Sequence, residues 1–182
     1  MSSNTSLEYD EIIARCKDIY LKKMQDYGSA WRILRPSSLT DQIFIKAQRI
    51  RSIEEKGAQK VEDGIENEFI GIVNYALMAL IQTGMSPEAP LEVRPEDAVR
   101  LFDMQVHKVK GLMLDKNHDY GEAWRDMRVS SMTDLILMKL LRIKQIEDNQ
   151  GSTLVSEGVD ANYADIINYA VFSLIKLRDE KL

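Results

Sequence analysis

Lys139 and Arg142 stand three residues apart, and the same pair recurs 93 residues earlier as Lys46 and Arg49. That spacing puts both cations on one side of a helix. Each lysine takes a rung of an apolar stripe, Ile43, Lys46, Ile50, Ile53 in one place and Ile136, Lys139, Ile143, Ile146 in the other. A desolvated ammonium without a partner is costly, so each lysine must meet a carboxylate, an anionic ligand or water in a cleft. Snorkelling to the surface or a structural ion pair would serve equally well. Asn162, Asp165 and Asn168 follow at i, i+3 and i+6, along one side of an otherwise apolar helix. Asp165 is the natural counter-ion for Lys139 or Arg142, and an asparagine on such a face commonly holds two helices in register. Asp119 lies near a helix C-terminus, where a carboxylate opposes the dipole. Its recurrence as Asp26 points to a tertiary task, such as holding a lysine or a metal.

These recurrences are parts of one internal duplication. Asp26-Tyr27-Gly28-Ser29-Ala30-Trp31-Arg32 returns as Asp119-Tyr120-Gly121-Glu122-Ala123-Trp124-Arg125, and from Asp26 to Glu54, 17 of 29 positions are identical in the second copy. After a one-residue insertion, Asn74-Tyr75-Ala76 returns as Asn168-Tyr169-Ala170. The expected organisation is a disordered tail over 1–6, repeat one over 7–83, a Gly/Ser/Pro linker over 84–94 and repeat two over 95–182, packed as one unit. Each copy reads as three helices. Gly28 and Gly121 are plausible stops. Ser38-x-x-Asp41 and Ser131-x-x-Asp134 have the form of capping boxes opening the second helices. Pro95 suits the start of the second copy's first helix. The third helices, about 64–82 and 158–177, are apolar nearly all round and belong at the centre. With no alternating pattern in competition, the expectation is an all-α, six-helix bundle made of two three-helix repeats about a pseudo-two-fold axis.

Composition narrows the classes further. A net charge of -5 disfavours a global nucleic-acid binder. Cys16 is the single cysteine, which precludes an intramolecular disulfide and fits a reducing compartment. The N-terminal residues lack a signal-peptide pattern, and the most apolar stretch, Phe69 to Ile81, is too short to span a bilayer. A cytoplasmic protein without a membrane partner is expected. His107 and His118 face Ala14 and Gln25 in copy one, which makes them weak catalytic candidates. With no phosphate-binding glycine loop, Cys/His metal spacing or nucleophile elbow, zinc is not expected.

Three blocks, Lys116-x-x-Asp119-Tyr120-Gly121, Lys139-x-x-Arg142 and Asp165-x-x-Asn168-Tyr169-Ala170, resemble the pattern of the nucleotide modification associated domain 1 family, also called domain of unknown function 1599. The resemblance covers nearly the whole chain, once per copy. It implies a nucleotide as partner, and it adds Glu157, which matches an acidic position of the family pattern, while Ala161 stands where an aspartate is usual. A looser similarity is to the all-α nucleoside triphosphate pyrophosphatases of the MazG kind, which bind magnesium between paired acidic helices. Here the second helix carries Lys and Arg where those proteins carry carboxylates.

The implied reading is a nucleotide-binding or nucleotide-processing protein of the phosphohydrolase kind with Mg²⁺ as its cofactor. Lys139, Arg142, Asn168, Tyr120, Lys46 and Arg49 would hold the nucleotide. Asp165 and Glu157 would carry catalysis, and Asp165, Asp119 and Glu157 would ligate the metal. The alternative is a non-catalytic structural or interaction protein whose charges form buried ion-pair networks. The copies diverge where Glu68 faces Asn162 and Gly71 faces Asp165, so two sites would not be equivalent, and the copy with Asp165 is the expected working half. Whether the duplication replaces a homodimer or sits inside a larger homo-oligomer stays open.

Overall fold

The computed structural model describes residues 4–57, 64–154 and 157–182. They form six α-helices, α1 (Thr5–Tyr27), α2 (Pro36–Lys56), α3 (Ile65–Gly84), α4 (Pro95–Tyr120), α5 (Val129–Asp148) and α6 (Val159–Glu180), and no strand is present among them. The all-α bundle of two three-helix repeats is therefore the fold. At its centre α3 and α6 pack on each other, flanked by α2 and α5, which also meet across the repeat boundary. The apolar runs Phe69–Ile81 and Tyr163–Ile175 supply about half of the core residues, as their all-round hydrophobicity requires. Helices α1 and α4 each lie across both central helices.

The pseudo-two-fold axis can be read from reciprocal contacts. Thr40 Oγ1 lies 2.9 Å from the Glu147 carboxylate, and the equivalent Thr133 Oγ1 lies 3.3 Å from Glu54. Arg51 meets Asp134 at 3.5 Å while Lys144 meets Asp41 at 3.3 Å. Residue i of one copy touching j of the other, and j touching i, is the signature of an isologous interface; here both halves are on one chain. The two inward arginines behave alike. Arg32 binds the Pro90 carbonyl at 3.0 Å, fastening the segment that leads into α4, and Arg125 binds Glu8 at 2.8 Å and Thr5 at 3.0 Å, fastening the start of α1.

Local expectations need two corrections and one addition. Helix α1 begins at Thr5, which is buried, so of the expected tail only residues 1–3, which lie outside the described residues, are left unaccounted for. The serines of the expected capping boxes do not cap: α2 starts at Pro36 and α5 at Val129, one turn earlier, each after an arginine, Arg35 or Arg128, with extended backbone, and in α2 the proline at the first helical position needs no donor partner. Short 3₁₀ turns at Ala30–Ile33 and Ala123–Asp126 carry the tryptophans. They follow Gly28 (φ 59°, ψ -141°) and Gly121 (φ 64°, ψ -147°), a backbone region that essentially only glycine enters.

Candidate functional site

Copy two builds a charged centre from three helices. Lys139 is carried by α5, with Ile136 and Ile143 one turn to either side buried in the core. Asp165 lies on α6 between Ile166 and Ala164 and is only 6% exposed. The Lys139 ammonium meets one Asp165 oxygen at 2.9 Å, and Lys116, from the last turns of α4, meets the other at 2.7 Å. Burial works against the charge on Lys116, but the Asp165 carboxylate, with Tyr169 and Glu157 beyond it, holds its ammonium above the ordinary lysine range. Tyr169, half-buried beside them, has its phenol raised by burial and by Asp165, with Lys116 and Arg142 pulling the other way.

Beside this triad opens a cleft of about 900 Å³ between the C-terminal half of α5, the loop that follows it and the start of α6. Lys139 and Arg142 line it, together with Gln145, Asn149, Glu157 and Asn162. Arg142 is exposed and holds no ion pair among the described residues. Asn162 folds its amide back onto the first turn of α6, donating to the Gly158 carbonyl at 2.9 Å.

Copy one has the same scaffold and a different centre. Gly71 replaces Asp165, and the Lys46 stem fills the space: a Cβ placed on Gly71 would meet Lys46 Cδ at 2.9 Å. Glu68, the counterpart of Asn162, takes over as the acid, accepting from Arg49 at 2.8 Å and standing 3.8 Å from Lys46. The Lys46 ammonium also stands 5.6 Å from the Tyr75 ring centroid.

The expected residues therefore divide. Lys139, Arg142 and Glu157 share the cleft, with Asp165 behind Lys139. Asn168 spends its amide inside the bundle, accepting from the Tyr9 hydroxyl at 2.8 Å and donating to the Val109 carbonyl at 3.3 Å. Tyr120 is 77% exposed at the end of α4. Asp119 is exposed beside His118 at 3.3 Å. The metal set of Asp165, Asp119 and Glu157 does not assemble: both Asp165 oxygens already accept from ammonium groups, and no group of three or more His, Cys, Asp or Glu able to hold a metal ion occurs among the described residues. These donors do not fit Mg²⁺.

Lys116 was not among the expected site residues, although it opens the Lys-x-x-Asp-Tyr-Gly block. Its signal was recurrence as Lys23 in the Lys-x-x-Asp-Tyr-Gly block. The Thr40/Glu147 and Thr133/Glu54 exchange was also missed, although all four residues are identical between the copies.

The profile of nucleotide modification associated domain 1 matches residues 23–83 and 116–177, once per copy and together more than half of the chain. The chain belongs to that family. Both matched segments begin at the block lysine, Lys23 or Lys116, and run through the third helix, so the family unit contains the whole Lys116, Lys139, Asp165 triad. No curated protein and no solved structure matches the chain.

Proposed function

We propose that copy two binds the phosphate end of a nucleotide in the cleft lined by Lys139, Arg142, Glu157 and Asn162. The observation that carries this reading is Arg142, an exposed guanidinium without an ion pair among the described residues, one turn from Lys139 at the cleft wall. A guanidinium fork suits phosphate oxygens geometrically. Asp165 is a positioning residue: it holds the Lys116 and Lys139 ammonium groups in place, so three cations face two carboxylates, Asp165 and Glu157, and an anion is favoured. The family's association with nucleotide modification supports a nucleotide as that anion.

A purely structural network is the second reading, and one observation favours it: the Asp165 carboxylate already has an ammonium on each oxygen. Isothermal titration with inorganic pyrophosphate and with nucleoside mono-, di- and triphosphates separates the two. The binding reading expects saturable binding of pyrophosphate that Arg142→Ala weakens by about tenfold or more, the worth of a charged hydrogen bond. No binding of any of these anions would leave the structural reading standing.

A further inference from the structure

Copy one contains an aromatic-walled cavity of about 280 Å³ around Tyr20, Lys23, Tyr27, Trp31, Tyr75 and Met78. It lies at the junction of α1, the Trp31 turn and α3, and shares the Tyr75 ring with the Lys46 ammonium, which stands 5.6 Å from its centroid. Its volume is at the small end for ligand sites and suits one ring system.

The other copy displays what such a cavity accepts. There the equivalent of Met78 is Phe172, whose ring stacks on Trp124 with centroids 4.4 Å apart and planes 4° from parallel. Met78 leaves Trp31 without that stacked partner. The Trp31 indole N–H is buried and has no acceptor. The Trp124 N–H is unpartnered too, but Phe172 covers its ring. At the mouth stands Lys23, the equivalent of Lys116. Lys116 neutralises Asp165, whereas the matching position in copy one is Gly71. Lys23 is exposed and makes no ion pair among the described residues. One end of copy one thus lacks both the ring and the carboxylate that copy two has at the equivalent positions.

We infer that copy one is a second, non-equivalent ligand site, taking a heteroaromatic ring that carries an anionic group, with the ring against Trp31 and the anion at Lys23. Nucleoside monophosphates have this chemistry. The inference stands on residues separate from the copy-two cleft.

Only two tryptophans are present, so Trp124→Phe leaves Trp31 as the sole reporter. In that background, fluorescence is titrated with AMP, GMP, CMP and TMP, with the four nucleosides, and with inorganic phosphate. At least one monophosphate is expected to quench Trp31 saturably, and inorganic phosphate is not. Lys23→Glu, on an exposed side chain that does not threaten the fold, is expected to weaken the monophosphate about tenfold or more and leave its nucleoside unchanged. Met78→Phe, which copies the stack of copy two, is expected to abolish quenching; melting monitored by circular dichroism verifies that it folds. Arg142→Ala is expected to leave the quench intact, so failure here and failure of the cleft are distinguishable. The inference is overturned if no monophosphate quenches Trp31, if Lys23→Glu has no effect, if a folded Met78→Phe still binds, or if Arg142→Ala removes the signal.

Discussion

Lys139 and Asp165 meet at 2.9 Å in copy two, and at the equivalent place in copy one the Lys46 stem occupies the room that Gly71 leaves. Two differences, Gly71 for Asp165 and Glu68 for Asn162, thus separate a buried carboxylate shared by two lysines from a lysine turned toward a different acid. Asp165→Asn would leave Lys139, 14% exposed at its side chain, without a counter-ion. Breaking a buried pair by removing one partner is expected to cost about 3 kcal/mol. Replacing both, with Lys139→Met and Asp165→Leu, should recover most of the loss. Urea unfolding of Lys139→Met, Asp165→Leu and the double variant gives the coupling; additive losses would contradict the pairing.

Copy one permits the reverse exchange. Glu68→Asn alone leaves Lys46 and Arg49 without their shared carboxylate and is expected to cost about 1–2 kcal/mol, since both cations are partly solvated. Adding Gly71→Asp restores an acid in the position copy two uses. The clash it brings is with the flexible Lys46 stem, which can swing aside. The double variant should therefore be more stable than Glu68→Asn, an ordering that chemical denaturation reads directly.

The reciprocal Thr–Glu contacts give a pH dependence with a definite sign. Burial raises the carboxyls of Glu54 and Glu147; the hydrogen bonds from Thr133 and Thr40 lower them, and Asp134 and Asp41 respectively add to the rise. A raised folded-state value means the folded chain holds these protons to higher pH than the unfolded chain. The associated stability is fully present below the ordinary glutamate range and is lost as pH rises through the raised value. Well above that raised value both groups are ionised, and the cost is in force. Glu54→Gln with Glu147→Gln, which keeps an acceptor for each threonine, is expected to raise the Tm there. The gain should shrink toward about pH 4, where the wild-type carboxyls are protonated. A gain that grows on acidification would refute the assignment.

Asn168 and Asn74 occupy equivalent places with unequal duties. Asn74 donates to the Cys16 carbonyl at 3.0 Å, but its carbonyl oxygen is buried without a partner. Asn168 serves both Val109 and the buried Tyr9 hydroxyl. Asn168→Ala strands two groups and is expected to cost about 2–3 kcal/mol, Asn74→Ala about 1 kcal/mol. Tyr9→Phe should cost less in the Asn168→Ala background than in the wild type, which a double-mutant cycle by thermal melting would measure.

Much of this was legible in the chain itself. The repeat, the helix count, Pro95 as a helix start and the glycine stops follow from local chemistry, because hydrophobic period and backbone permissiveness act over a few residues. The lysine on each apolar stripe demanded a partner on energetic grounds, and Asp165 was among the candidates. What the sequence could not decide was which lysine reaches which carboxylate. That depends on how α4, α5 and α6 converge, and sequence spacing within one helix carries no information about distance between helices. Only the packing therefore put Lys116 on Asp165, drew Asn168 into the bundle with Tyr9 rather than toward a ligand, and left Asp119 exposed. Packing also separated the copies: the identity of Trp31 and Trp124 is written in the sequence, but whether an indole is stacked or borders a cavity depends on Phe172 or Met78 arriving from another helix.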